Sequence, residues 1–555
     1  FYETSSKLKY LFLVLARLNL YPNQGDHSMK KTICSLVLAS VMGMSAVAAS
    51  AETLTVGVRG GPESMDPHYS ALGPQADAVK HIFDPLVWTG DDLQLEPGLA
   101  TSWKAVDADT WEFKLREGVK FHDGSTFDAE DVKFSIDRIP KVTGPTTTEI
   151  YVRRVKQVEI VDPYTIHIHT DGTAATLPYD FVRLFIVSSE AAKDYSTAET
   201  SAEGFNSGKA TIGTGPFKYV SWEPKGSLVM ERFDGYWRGA APWEKVVRRE
   251  ISDDSSRLAA LKAGDVDVIN YVSSADYLSL GTDPKIKTFL GDSVYVMNLQ
   301  LDQREVTPKV RAKDGSKLDK NPLRDARVRE AIDIAIDRQT MVDVVLEGLG
   351  KPANQMMPRG FFGSSEKIPT PEYNVDKAKA LLKEAGYPDG FQIDLHCTND
   401  RLPGDGAICE GLGQMFAQIG IDTNVNAISK TVYFPTQARK EYSVFMNGWG
   451  TLTGEASYTL GSLAHSPNEE VKMGAFNRIG YQNDEVDKLL QEGVQEADSD
   501  KRRALFEQAM EKTMADRAYS SIVVLQAVWA GRSDKVVVTP RADEETLAYF
   551  IKPAK

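Results

Sequence analysis

The sequence predicts an α/β protein of two or more domains. Three observations lead there. First, about 500 residues remain once an N-terminal apolar segment is set aside, more than one hydrophobic core organises. Second, strand and helix patterns alternate late in the chain, from Ile393 and Leu395 through a helix at 407–418 to a strand at 421–425. Third, residues 84–210 are dominated by strand patterns instead, so the composition of elements changes along the chain.

The N-terminus comes first. An apolar run at 10–15 is too short to span a bilayer. Residues 1–28 are expected to be translated upstream sequence, with Met29 as a more natural start. Lys30 and Lys31 then form a positive region, 33–47 is apolar or small, and Ala49-Ser50-Ala51 is a small-residue cleavage site. Residues 29–51 therefore read as a cleavable secretory signal peptide, with the mature chain starting at Glu52. Cys34 lies far from the cleavage point, which argues against lipidation. Removing residues 1–51 takes away five basic and two acidic residues, so the acidic excess rises from 14 to 17. Such a chain is a poor candidate for nucleic acid or anionic membranes. Cys397 and Cys409 remain. In an oxidising compartment they either pair across a short loop or stay as two buried thiols, and the polar segment between them favours the disulfide.

Residues 54–58 read as a first strand and 60–67 as a loop, followed by a helix from Pro74 to about Phe83. Residues 99–132, LATSWKAVDADTWEFKLREGVKFHDGSTFDAEDV, hold a polar turn and then a strand in which Trp111, Phe113 and Leu115 alternate with charged residues. His122-Asp123-Gly124 is turn chemistry. Asp128 or Ala129 opens a helix, with Glu130 and Asp131 at its positive end. Tyr164, Ile166 and Ile168 mark another alternating strand. Residues 212–217, IGTGPF, fix a tight backbone, and a helix from about Leu258 ends at Gly264. Residues 323–345 give the clearest helical pattern: Val328, Ala331, Ile332, Ala335 and Ile336 fall on one face, while Arg324, Arg327, Arg329 and Arg338 lie off it near Asp325, Glu330 and Asp333. A second amphipathic helix carries Ala378, Leu381, Leu382 and Ala385, and a late one spans 504–514.

In the segment 99–132, the Leu-Ala-x-Ser-Trp entry, the aromatic strand, Arg-x-Gly-Val-x-Phe-His-Asp-Gly and the acidic helix start together closely resemble the bacterial extracellular solute-binding proteins of family five. The resemblance continues through GTGPF, FDGYW at 233–237, LAALKAGDVD at 258–267 and DARVREAIDIAIDR at 325–338. It implies a two-lobed periplasmic binding protein (type II, cluster C), with an extra strand-rich domain on the first lobe. The expected segments are 52–84, 211–294 and 521–555 for the first lobe, 85–210 for the extra domain and 295–520 for the second lobe. It also implies capture of a ligand by hinge closure and delivery to an inner-membrane ABC permease with its ATPase subunits, in the periplasm of a Gram-negative bacterium. A monomer with no cofactor is expected. The expected ligand is a short peptide. The alternative is another carboxylate-bearing solute: an opine-like conjugate, glutathione or a nickel–chelator complex.

No nucleophile elbow, zinc-protease or phosphate-loop motif is present, so catalysis is not expected. His167 and His169 project from one strand face but lack further ligands at metal-site spacing, so they read as an exposed face. Two places carry the expected binding site. Residues 399–407 lie between a strand and a helix, where α/β lobes hold ligands. In dipeptide-binding members an Arg six residues before an Ala in this loop grips the ligand carboxylate; Arg401 has that position, with Asn399 beside it. A guanidinium matches a carboxylate bidentately. The competing reading is a surface arginine paired with Asp400 or Asp405. The second place is 448–455, GWGTLTGE. Trp449 offers an apolar or cation–π wall, with Thr451 next to it and Tyr458 a weaker candidate. Peptide binders usually have an Asp three residues after this Trp, for the ligand ammonium. Here Leu452 stands there, and Glu455 is the substitute acid.

Overall fold

The computed structural model describes residues 52–142, 148–307 and 309–554. The expected upstream extension and signal peptide lie outside the described residues. Among the described residues, no helix is long and apolar enough to cross a membrane.

One twelve-stranded sheet runs through both lobes. Its centre is a pair of long antiparallel strands, Ile286–Leu301 and Tyr519–Arg532. Their pairing is interrupted between Asp292 and Val296. On one side of the break, Phe289, Ala527 and Trp529 join a core with the first strand, Thr53–Val58. On the other side, Met297, Leu299, Ile522 and Val523 join a separate core with Val328, Ile332 and Leu395. The same two strands thus feed two hydrophobic cores, and the irregular step between them is where the lobes meet. Beyond it, the strands Val444–Gly450, Gln392–Thr398 and Asp422–Ile428 continue the second lobe, the last two parallel.

A four-stranded antiparallel sheet stands apart, in the order Ala100–Ala105, Thr110–Leu115, Thr165–Thr170, Val155–Asp162. The alternation seen in the sequence has a physical cause here. Phe113 and Leu115 are buried in a third core with Val132, Ile136 and Phe181, while Lys114 faces water. Helix Ala129–Arg138 packs on that core. Its start is a reciprocal cap: Asp128 accepts from the backbone, and Asp131 accepts from the N–H of Asp128. His167 and His169 lie beside Glu112 and Glu159, with His169 Nε2 3.0 Å from Glu159.

The GTGPF segment is held by close backbone approach. The amide of Gly215 donates to the Ile82 carbonyl at 2.9 Å, and a β-carbon at Gly213 would collide with that same oxygen. Thr214 between them donates to buried Asp84, which also accepts from Trp88, Tyr236 and Trp237. Four donors offset the cost of burying this carboxylate. Gly264 ends the helix Asp254–Ala263 at φ +81°, a conformation a side chain resists.

Two expected helices differ. The first is shorter than expected, Gly73–Val79, with Lys80 as its cap. The pattern at 323–345 is not one helix. It divides into Ala326–Ile334, a break at 335–337, and a turn that restarts at Arg338 with Asp337 as its cap. The apolar spacing is continuous across the break, but Arg338 is buried. Its guanidinium donates to the carbonyls of Asp333 and Ser521 and to the Asp333 carboxylate. Those bonds take up the carbonyl end of the first helix and tie the break to the central strand pair.

Candidate functional site

The strand Gln392–Thr398 ends where the helix Asp405–Gln418 is about to begin, and residues 399–404 turn between them. Asp405 organises that turn. Its carboxylate accepts from the Thr398 hydroxyl at 2.7 Å and from the amides of Arg401 and Leu402. The other neighbouring acid, Asp400, accepts from the Ser429 hydroxyl and the Lys430 amide. A disulfide between Cys397 and Cys409, with Cα atoms 6.5 Å apart, closes the base of the turn from strand to helix. Both cysteines are buried.

With both acids engaged elsewhere, the Arg401 guanidinium makes no ion pair among the described residues. Nη1 donates to Asn447 Oδ1 at 2.8 Å and to the Gly448 carbonyl at 2.6 Å. The rings of Phe434 and Tyr295 lie 5.3 and 6.0 Å from its carbon. A half-buried guanidinium with donors to spare, walled by aromatic rings, is suited to an anionic group. Asn399 does not share this position. It lines a groove of about 330 Å³ with Arg59, Tyr271, Ser273, Gly404 and Gln526, and its amide donates to Ala427.

The second loop follows the strand Val444–Gly450, which pairs with Ile286–Leu301. Trp449 packs on Tyr458 and Phe476, with ring centres 5.5 and 5.4 Å away, and its indole N–H is buried without a partner. Thr451 is fully buried and its hydroxyl is paired with that of Thr459 at 2.9 Å, so it is committed inside the lobe. Leu452 is 9% exposed and packs with Leu93 and Val294. Glu455 is also inaccessible. One carboxylate oxygen accepts from Ser457, and the other lies 3.8 Å from Arg502. Burial pushes its pKa up to about 7, against the opposing pull of Ser457 and Arg502.

Residues from three distant segments face these loops. Tyr151, Asp180 and Arg183 come from the region of the smaller sheet, Tyr295 from the irregular step in the central pair, and Glu544 from near the C-terminus. The groups are electrostatically linked. Arg401, Glu544, Tyr458 and Arg183 act on the Tyr295 phenol, which burial pushes up to about 12. Arg183, Arg153, Arg401 and Asp180 act on Tyr458. The Tyr151 hydroxyl, Trp449 Nε1, the Thr453 hydroxyl, Glu455 Oε1 and Glu544 Oε2 are all buried with no hydrogen-bond partner. An unpaired buried polar atom costs about 1–3 kcal/mol, so the Tyr151 hydroxyl and the Trp449 indole, both linked to Tyr458, are donors that a polar ligand can satisfy.

The residues legible from sequence were the two loops of the second lobe. Tyr151, Asp180, Arg183, Tyr295 and Glu544 were not. Each is an isolated residue in its own segment, and no local spacing ties it to the others. Among the described residues, no cluster of three or more histidine, cysteine or acidic side chains is arranged to hold a metal.

Residues 94–470 match the family model for bacterial extracellular solute-binding proteins, family 5 Middle. The chain is 28% identical over 509 residues to the glutathione-binding protein GsiB of Salmonella paratyphi A, covering 90% of this chain and 94% of that one. It is 29% identical over 449 residues to heme-binding protein A of Haemophilus influenzae, covering 75% and 76%. The ABC transporter-associated periplasmic binding protein DppA of Helicobacter pylori, solved with the peptide STSA, superimposes with a TM-score of 0.75 at 25% identity, covering 92% of this chain and 100% of that one.

Proposed function

Because the chain belongs to the bacterial extracellular solute-binding proteins of family 5, we propose that it is the periplasmic substrate-binding component of an ABC importer that captures short peptides between its lobes. The Arg401 guanidinium carries this reading. Its bonds go to Asn447 and the Gly448 carbonyl, and it makes no ion pair with a carboxylate among the described residues. A ligand's terminal carboxylate supplies that partner, between the rings of Phe434 and Tyr295. Closure of the two lobes on the ligand then presents the liganded form to a membrane permease driven by its ATPase subunits. No chemical step is required of the chain, and it acts as a monomer.

Glutathione is a second ligand of the same chemistry, favoured by the 28% identity to a glutathione-binding protein over nearly the whole chain. It is peptide-like and carries free carboxylates. A thermal-shift screen of residues 52–555 tests the reading. The compounds are di- and tripeptides, N-blocked peptides, glutathione, opines, and nickel with and without free histidine. A ligand at 100 times its dissociation constant adds about 2.7 kcal/mol. Stabilisation by peptides or glutathione that is lost in Arg401→Ala supports the proposal. Stabilisation by opines or nickel complexes alone overturns it.

A further inference from the structure

The carboxylates near the interlobe cluster fall into two groups. Glu545 is paired with Lys80 and Arg183, at 2.8 and 2.9 Å, and Asp543 with Arg541 at 2.7 Å. Glu544 accepts from the Ser293 hydroxyl, and Glu455 is held by Ser457 beside Arg502. Asp180 differs from all of these. It ends the short helix Leu177–Asp180, and its side chain makes neither a hydrogen bond nor an ion pair among the described residues. The two cations that act on it are engaged by carbonyl oxygens: Arg153 donates to Lys472, and Arg154 donates to Asp171 and Thr173.

Its position is set by contacts across the lobes. The preceding residue, Tyr179, lies 6.2 Å ring to ring from Phe362, and the Ala175 amide donates to the Val494 carbonyl. The charged and titratable groups that face Asp180 are Arg153, Arg154, Tyr151, Tyr458 and Glu455. Tyr458 feels both Asp180 and Arg401. A carboxylate and a guanidinium that make no ion pair among the described residues therefore both act on one phenol, from different parts of the chain.

We propose that Asp180 is the cation-reading residue of the cleft, so that the ligand is a zwitterion with its carboxylate on Arg401 and its ammonium on Asp180. The proposal rests on the peptide reading above and adds the amine requirement to it. It also accounts for the apolar Leu452: the negative charge comes from the opposite side of the cleft. A ligand bridging the two sides gains both ion pairs only when the lobes are closed, which makes closure depend on a ligand with both charges. With the lobes in contact through Tyr179 and Phe362, burial raises the Asp180 carboxyl to about 7, against the opposing pull of Arg153 and Arg154. An ammonium keeps it ionised, so binding below pH 7 releases a proton from Asp180.

The test is calorimetric titration with trialanine, N-acetyl-trialanine and glutathione at pH 6, in two buffers of different ionisation enthalpy. The proteins are the wild type, Asp180→Asn and Asp180→Glu, each first checked for an unchanged unfolding transition. The expected result is release of about one proton with trialanine or glutathione in the wild type. Asp180→Asn should abolish the release and weaken the free-amine ligands more than about tenfold, with N-acetyl-trialanine unaffected. Asp180→Glu should retain part of both effects. Equal binding of trialanine by Asp180→Asn and wild type overturns the proposal while the peptide reading stands. So does an equal loss for the free and acetylated ligands. Failure of every probe to bind the wild type overturns the peptide reading, and this inference with it.

Discussion

Arg401 Nη1 donates to the carbonyl oxygen of Gly448 at 2.6 Å, joining the loop after the strand Gln392–Thr398 to the strand that leads into the 451–455 loop. The same nitrogen reaches Asn447. One edge of the guanidinium is thereby anchored to the lobe, and the remaining donors are oriented before any ligand arrives.

Replacing Arg401 by Ala should weaken a carboxylate ligand by about 2–5 kcal/mol, with little effect on stability. Arg401→Lys should recover only a small part, because an ammonium cannot hold Asn447, Gly448 and a carboxylate in one plane. Calorimetric affinities of the three proteins check this; unchanged affinity in the alanine variant removes Arg401 from the site.

The Cys397–Cys409 bond spans twelve positions and closes the base of the Arg401 turn. Its loss in a Cys397→Ser, Cys409→Ser double variant should cost about 2–4 kcal/mol of stability by chain-entropy reasoning. Ligand affinity should fall as well, since the turn is less restrained. Intact-mass measurement of denatured, unreduced protein should lie about two protons below the reduced form; equal masses mean free thiols.

His122 joins its turn to the GTGPF segment. Nε2 lies 3.0 Å from the Gly215 carbonyl, and Nδ1 accepts from the Gly213 amide. Adding a proton at Nδ1 opposes that amide. Burial lowers the pKa to about 4, so between the unfolded value near 6.5 and about 4 the unfolded chain binds more protons. His122 therefore contributes stability that is present above about pH 6.5 and is lost as pH falls toward 4, by at most about 3 kcal/mol. Unfolding free energies at pH 7 and pH 5 should differ less in His122→Gln than in the wild type; equal differences refute the assignment.

Leu452 packs with Leu93 and Val294 in an apolar niche. Restoring an acid there, Leu452→Asp, should not create an amine site. It should destabilise the protein by about 2 kcal/mol or more, because the carboxylate would be buried against the apolar side chains of Leu93 and Val294. A lowered denaturant midpoint with unchanged peptide affinity is the expected outcome, and an increase in affinity for free-amine peptides contradicts it.

Local patterns are legible in the sequence where a single segment supplies the physics. The alternation at Trp111, Phe113 and Leu115 is the half-buried strand Thr110–Leu115, and the acidic start after Asp128 is the capped helix Ala129–Arg138. Gly264 ends its helix in a left-handed conformation. Residues 323–345 show the limit. Apolar periodicity continues through Ala335 and Ile336, yet the helix breaks, because buried Arg338 bonds to Asp333 and Ser521, the latter far away in sequence. Periodicity reports which face is buried, and a long-range hydrogen bond decides whether the backbone stays helical.

The sequence by itself determined the family, the two-lobed α/β class and the loops that carry Arg401 and Trp449, because those depend on residue patterns within short segments. Only the tertiary structure decided the state of each charge. It directed Asp400 and Asp405 to their own turns, placed Glu455 beside Arg502, paired Glu545 with Lys80 and Arg183, and left Asp180 and Arg401 without an ion pair among the described residues. Whether a buried charge is neutralised depends on neighbours hundreds of residues away, and no local pattern records them.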